Sequence, residues 1–183
     1  MMNSSKTGLE KAVYDKIEIR RPRLETMQMQ TVSFDCPVTV PYLIPVIHNS
    51  TPSCINVPFM VEGTAYNVTS FSLDKPFGVV IIENIDKIDI SITGKALSTH
   101  PLFPKGADIV FLEVESKDLL KARLYSKEDG ETGFSERGAC AAFVAARMLD
   151  KSYGSALVAM SGKTCRVEWD GVAGNVRLTE SKS

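Results

Sequence analysis

The chain has 183 residues, of which 44% are hydrophobic, so it can bury a core, and a disordered protein is excluded. Lysine and arginine number 21 against 22 aspartates and glutamates, and a net charge of -1 excludes the basic surface that binds nucleic acid. No apolar run reaches the roughly 20 residues of a membrane span, and residues 1–10 contain no apolar segment typical of a signal peptide. We therefore expect a cytoplasmic globular protein with neither a nucleic-acid nor a membrane partner.

The four cysteines are widely separated, at Cys36, Cys54, Cys140 and Cys165. No pair has the C-x-x-C spacing of a zinc site, and a cytosolic protein normally keeps its thiols reduced. The sequence therefore predicts free thiols and no metal site.

Strands are predicted along most of the chain, because runs rich in Val, Ile, Phe and Tyr alternate with Gly, Pro, Asp or Asn. In chain order these strands are 30–40, 55–61, 66–73, 78–83, 108–115, 120–126, 156–160, 164–169 and 175–179. A short helix is predicted within 85–98. Asp170-Gly171 is a hairpin turn signal between the last two strands.

A second helix is predicted over residues 138–150, whose sequence is GACAAFVAARMLD. It is apolar on nearly every face except at Arg147, which is typical of a buried helix. Its small side chains would let strands approach from several directions. The pattern therefore favours a helix enclosed by a curved sheet.

Three short motifs occur in a specific order: HPLFPKG at 100–106, GET at 130–132 and GACAA at 138–142, followed by VEW at 167–169. Together they resemble the C-terminal domain of diaminopimelate epimerase over roughly residues 71–179. The resemblance implies an α+β lobe with a curved, mostly antiparallel sheet wrapped around a central buried helix. Residues 71–183 would form the C-terminal-like domain, and residues 1–70 would add weakly matched strands and loops to the same lobe.

The resemblance also implies a mechanism without cofactor or metal. In that family two lobes enclose the active site, and one cysteine at the start of each lobe's helix moves the α-proton of an amino acid. A single lobe would need a second one, from a second copy in a homodimer or from a separate partner.

Carried over residue by residue, the family's reactive cysteine falls on Ser135, while Cys140 matches a cysteine that is not catalytic. A hydroxyl is a far weaker acid than a thiol with a pKa of about 8.5, so thiolate chemistry is lost at this position. A serine before an apolar helix is also a preferred N-cap worth about 1 kcal/mol. Both interpretations of Ser135 stay open, and Cys140 is interpreted as a packing residue.

The neighbouring family positions have changed as well. The family's Gly-Asn-Pro-His falls on residues 74–77, which read DKPF, and a family asparagine falls on Asp108. The candidate catalytic residues are therefore Ser135, Asp108 and Lys75. The candidate substrate-binding residues are Glu136, Arg137, Gly138, Lys127 and Ser126.

Three functional hypotheses remain. The first is a cofactor-independent isomerase or epimerase-family protein of amino-acid metabolism, acting on a small amino acid or carboxylate, whose altered site needs a second lobe. The second is a non-catalytic binding or regulatory homologue. The third is a lyase, tautomerase or cyclase of a biosynthetic pathway, with Lys75 or Asp108 as its acid or base.

Overall fold

The computed structural model describes residues 28–47 and 54–181. Within them ten strands form one sheet: β1 Met29–Phe34, β2 Val57–Val61, β3 Thr64–Leu73, β4 Lys75–Ile81, β5 Asp108–Ser116, β6 Leu119–Ser126, β7 Gly130–Thr132, β8 Ser155–Met160, β9 Lys163–Glu168 and β10 Val176–Ser181. The helices are α1 Ile90–Ser98 and α2 Glu136–Met148, with a 3-10 helix at Pro41–Leu43.

The sheet is mixed, with strand order β1-β10-β9-β8-β6-β5-β4-β3-β2 and β7 paired to β6. Only β4 with β5 and β6 with β8 are parallel, and the other pairings described are antiparallel. Parallel neighbours need a crossover, and the two helices lie on these crossovers. The beginnings of β4 and β5 and the end of β6 therefore lie at one edge of the sheet, and α2 follows β6 and β7 from that edge.

Helix α2 is buried over most of its length. All nine residues from Gly138 to Ala146 are buried, and the helix contacts β3 to β6 and β8 to β10. Most of these residues are glycine or alanine, so strands can approach closely. A mixed sheet with two helices agrees with the predicted α+β class.

Several predicted boundaries were wrong. The first strand ends at Phe34 rather than at residue 40, and the helix predicted within 85–98 begins only at Ile90, where Asp89 accepts a hydrogen bond from the Ile92 N–H (3.0 Å). The three-residue strand β7 was not predicted, because three residues carry no periodic signal.

The connection between β9 and β10 is also longer than the predicted two-residue turn. It spans residues 169–175, and Asp170 Oδ1 accepts hydrogen bonds from the N–H groups of Val172 (3.0 Å) and Ala173 (3.2 Å). Asp170 and Gly171 therefore form part of a wider loop.

Helix α1 contacts β2, β5, β6 and β7, and its Ile90, Gly94 and Leu97 are buried. Gly94 lies on Tyr125 of β6, where an added Cβ would be 2.6 Å from the Tyr125 Cβ. The absence of a side chain at this position therefore sets the distance between helix and sheet.

We predict that Gly94→Ala destabilises the protein, although alanine in an exposed helix position is worth about 1 kcal/mol more than glycine. The clash must move the helix or the Tyr125 side chain, which costs roughly 1–3 kcal/mol in a packed interface. Urea denaturation measures the effect. Ser91→Ala on the exposed face of α1 is the control, expected within about 0.5 kcal/mol of wild type, and an equally stable Gly94→Ala variant would contradict the packing argument.

Candidate functional site

Ser135 occupies the N-cap of α2 with extended backbone angles (φ -136°, ψ 120°). Its Oγ accepts a hydrogen bond from the Gly138 N–H (3.1 Å), and its carbonyl accepts one from the Ala139 N–H (2.8 Å). Its own N–H donates to the Met160 Sδ (3.4 Å). These contacts fix Ser135 in place, and they explain why the helix begins at Glu136 rather than at the predicted residue 138.

The next two backbone N–H groups, those of Glu136 and Arg137, have no acceptor among residues 28–47 and 54–181. The Ser135 Oγ forms one hydrogen bond within these residues, and it accepts that bond from the Gly138 N–H. Its hydroxyl hydrogen is therefore free to be donated. The positive end of the helix dipole lies at the same place. These three groups can all donate hydrogen bonds to one small anionic group.

Gly138 was predicted to bind substrate through its backbone, but its N–H is already used by the Ser135 Oγ. An added Cβ at Gly138 would lie 3.1 Å from Leu124 Cδ2 and 3.3 Å from Ser135 Cβ. Gly138 therefore serves close packing, and the N–H groups without an acceptor within the described residues are those of the two preceding residues, Glu136 and Arg137.

Arg137 points from the first turn of α2 to the turn between β3 and β4. Its Nη2 donates to Asp74 Oδ2 (3.0 Å), and its guanidinium lies 5.4 Å from the centre of the Phe34 ring. Asp74 was missing from the predicted site, although the same four-residue motif placed Lys75 in it. Its contact with a residue 63 positions away has no signature in the sequence.

Lys75 and Asp108 are brought together at the beginnings of β4 and β5, as an ion pair between Lys75 Nζ and Asp108 Oδ2. The Asp108 side chain is 5% exposed and that of Lys75 is 45% exposed. Asp108 Oδ1 also accepts a hydrogen bond from the Lys127 N–H (3.0 Å), which joins the end of β6 to the pair. Among the described residues, neither Lys75 nor Asp108 forms a hydrogen bond or ion pair with Ser135.

The other two predicted ligand contacts have structural partners instead. The Ser126 Oγ accepts hydrogen bonds from the N–H groups of Glu128 (3.3 Å) and Asp129 (3.4 Å), which shape the turn after β6. The Lys127 ammonium donates to the Lys105 carbonyl, and its methylene groups pack on Gly106. The family positions are occupied, but these side chains hold loops in place.

Two cavities lie elsewhere in the fold. One of about 520 Å³ lies beside the β9–β10 loop and includes Trp169 and Arg177 in its lining, and one of about 380 Å³ includes Lys121 and Lys163. The candidate residues line neither of them. The start of α2 is instead a surface whose Asp74, Lys75 and Arg137 side chains are each 40–45% exposed.

In the described part of the chain, no group of three or more His, Cys, Asp or Glu side chains is arranged to hold a metal ion. None of the helices in those same ranges is long and apolar enough to cross a membrane.

Comparison with known proteins adds an independent observation, because a family model described as diaminopimelate epimerase matches residues 75–182. The chain belongs to the diaminopimelate epimerase family. It is 29% identical over 143 residues to the diaminopimelate epimerase of Leptospira biflexa, which covers 78% of this chain and 51% of the relative. It is 34% identical over 125 residues to diaminopimelate epimerase 1 of a Nostoc species. This alignment covers 68% of this chain and 45% of the relative.

The fold has a counterpart among solved structures. The crystal structure of a Bacillus anthracis phenazine biosynthesis protein of the PhzF family matches with a TM-score of 0.51 at 10% identity, over 84% of this chain and 57% of that one. At this identity the likeness concerns the fold alone. The chain spans about half the length of the curated relatives it matches.

We predict that Ser135→Ala lowers the free energy of unfolding by about 1 kcal/mol, because the Gly138 N–H loses its cap. Ser135→Asp should stay close to wild type, because a carboxylate caps equally well and is favoured at a helix start. Urea denaturation of both variants measures the difference. Equal loss in the two variants would show that capping contributes nothing here.

The cysteines should differ sharply in reactivity. Cys36 is exposed and the other three are buried. Burial raises the pKa of Cys54 and Cys140, and it raises the pKa of Cys165 to about 12. We predict one rapid adduct with iodoacetamide at pH 8, at Cys36, and four adducts in urea, counted by mass spectrometry.

The same pKa shifts give stability a pH dependence. A thiol whose pKa is raised by folding stays protonated in the native state while the unfolded chain ionises. The free energy of unfolding should therefore fall as the pH rises above about 9, the ordinary thiol value. Rapid adducts at Cys140 or Cys165 in the native protein would contradict both the expected single adduct at Cys36 and the expected pH dependence of stability.

Proposed function

We propose that this chain is one lobe of a cofactor-independent isomerase-family protein, with a site for a small amino acid or carboxylate at the start of α2. The observation that carries the proposal is the pair of backbone N–H groups at Glu136 and Arg137 that lack an acceptor within the described residues, beside the free hydroxyl hydrogen of Ser135. A ligand carboxylate would accept from these three donors. Family membership supports this location.

The fold supports the same placement. Because α2 is buried from Gly138 to Ala146 and contacts seven strands, we infer that the sheet curves around it and leaves its two ends partly accessible. Residues before 71 take part in the same sheet, since β1 pairs with β10 and β3 runs across residue 70. We therefore assign the described residues before 71, which are 28–47 and 54–70, to the same lobe as residues 71–181.

Lys75, rather than the buried Asp108, is the group able to reach a ligand. The Lys75 side chain is 45% exposed, whereas that of Asp108 is buried and holds the Lys75 ammonium by an ion pair. In this proposal Ser135 donates a hydrogen bond to the ligand, Lys75 is the acid or base, and Asp108 orients Lys75. A serine hydroxyl does not replace a thiolate in this role, so the chemistry differs from that of a two-cysteine site.

A second lobe belongs to the proposal. The site residues are partly exposed on one surface, and an exposed site gives weak electrostatic interactions because water screens them. A second copy or a separate partner would cover the start of α2 and exclude water. The curated relatives, which are about twice as long as the matched region, support this arrangement.

A specific observation favours a second candidate, a non-catalytic binding homologue. Arg137 is paired with Asp74, Lys75 with Asp108, and the Lys127 ammonium with a backbone carbonyl. Side chains committed to internal contacts are typical of a scaffold that has lost its chemistry. No contact in the described residues favours the lyase, tautomerase or cyclase hypothesis over these two.

We predict that small amino acids and carboxylates shift the backbone amide signals of Glu136 and Arg137 in ¹⁵N-correlated NMR spectra of the full chain. Ser135→Asp should abolish these shifts while retaining the fold, because it keeps the cap and repels the ligand carboxylate. Ser135→Thr, which keeps the hydroxyl, is the matched control and should bind. Absence of shifts at both amides with every probe would overturn the proposed site.

Exchange in heavy water separates the two candidates. If the α-proton signal of a bound amino acid disappears with wild type but persists with Lys75→Met, the protein has isomerase chemistry. If an amino acid binds but its α-proton does not exchange, either with the chain alone or with a second lobe present, the protein is a non-catalytic binding homologue.

A further inference from the structure

One stretch of the chain lacks acidic and basic side chains and exposes large apolar ones. No aspartate, glutamate, lysine or arginine occurs in residues 36–61, although these four residue types make up 23% of the chain. Within this stretch Tyr42 is 83% exposed, Leu43 61%, Ile47 46% and Val40 38%. We call these four side chains the apolar loop face. Apolar side chains exposed close together, with no charge among them, are typical of a surface that contacts another protein.

Buried neighbours hold the apolar loop face in a fixed conformation. Ile44 and Val46 are buried, so the segment is anchored between the side chains that it exposes. The Ile47 N–H donates to the Leu102 carbonyl (2.8 Å), and the Leu43 N–H donates to the carbonyl of the residue just before the 3-10 helix (3.0 Å). Little conformational entropy is therefore lost when a partner binds to this face.

The apolar loop face adjoins the candidate site. Val38, two residues before the face, forms two backbone hydrogen bonds with Ser72 near the end of β3 (2.8 and 3.0 Å). Two residues after Ser72, Asp74 pairs with Arg137 in the first turn of α2. A protein bound to the apolar loop face would therefore lie beside the residues around the start of α2.

The absence of charge restricts what can bind to this face. A charged surface placed against it would lose its water without gaining an opposite charge, and unpaired buried charges are costly. The partner surface must therefore be equally free of charge. In a two-fold homodimer the same face packs against its own copy, so this requirement is met by the symmetry itself. Tyr42 adds an aromatic side chain of the kind enriched at such contacts.

We propose that the apolar loop face is the surface on which a second copy of this chain docks, with Tyr42 and Leu43 at the centre of the interface. Both copies contribute the same side chains, as a two-fold interface requires. The second copy is then the source of the second lobe in the proposed function. Only this last step rests on the proposed function, because the interface itself does not depend on a ligand.

Sedimentation velocity of the full chain tests the interface between about 1 and about 100 µM, a range that covers micromolar dissociation constants. Wild type should form a dimer. Leu43→Asp should weaken dimerisation by about tenfold or more, because every dimer contains two copies of the new charge in an apolar contact. Tyr42→Ser, which adds no charge, should weaken dimerisation as well.

Val172→Asp is the matched control, since Val172 is 85% exposed in the loop between β9 and β10. It replaces an exposed apolar side chain by the same acid and should leave the dimer intact. Urea denaturation checks that each variant is folded. The dissociation constant of wild type should also change little between about 0.05 and about 0.5 M sodium chloride, because no charge pair is involved. Dissociation of the dimer at the higher salt concentration would contradict a charge-free interface.

A wild-type chain that stays monomeric throughout this concentration range would overturn the interface. If Leu43→Asp then destabilises the monomer far more than Val172→Asp does, another segment of the same chain covers the face. If wild type instead co-sediments with phosphatidylcholine vesicles, a lipid surface covers it. A dimer that neither Leu43→Asp nor Tyr42→Ser weakens would show that the two copies meet elsewhere, which overturns the proposal too.

Ligand binding separates this inference from the proposed site. Amide shifts of Glu136 and Arg137 in a monomeric wild type would overturn the interface and leave the proposed site in place. A dimer that is sensitive to Leu43→Asp but shows no amide shift with any probe would support the interface and overturn the site.

Discussion

The burial of α2 on all sides is the constraint on which the rest of the structure depends. A helix that contacts seven strands must present small side chains, which is why glycine and alanine make up most of its nine buried residues. A buried helix also hides its middle from any ligand. Its start is partly exposed and combines the positive end of the dipole with N–H groups that have no acceptor within the described residues.

That start is shaped by opposing demands. Capping stabilises the helix by using the Ser135 Oγ for the Gly138 N–H, whereas ligand binding needs N–H groups that are left open. The chain resolves this by capping only the third helical residue and leaving the first two free. Met160 contributes from the end of β8, since its sulfur accepts from the Ser135 N–H and holds the cap residue against the sheet.

The sequence was sufficient for the elements whose signal is local. Most strands were found because β-branched and aromatic runs between turn residues describe a strand without reference to the rest of the chain, and the alanine-rich helix was found for a similar reason. The capping of α2 by Ser135 was also one of the two interpretations that the sequence supports. The predicted helix began two residues late, because Glu136 and Arg137 in its first turn are polar and carry no apolar periodic signal.

Contacts between distant segments were not predictable in the same way. The Asp74–Arg137 pair joins a turn to a helix 63 residues later, and only the sheet register brings the two together. Ser126 and Lys127 matched family positions, yet their side chains are used by neighbouring loops, a choice made by rotamers that a motif does not encode. Motif matching selected residues that lie near the start of α2 and the beginnings of β4 and β5, but most of their side chains have partners within the protein.

The altered residues form one physical pattern rather than separate exchanges. A serine at the helix start removes an acidic thiol, and the Asp74–Arg137 pair removes a free positive charge from the same surface. Glu136 then adds a negative charge beside the donors that remain. The backbone N–H groups of Glu136 and Arg137, which no side-chain substitution can delete, have no acceptor within the described residues. The start of α2 therefore combines paired side-chain charges with two open backbone donors.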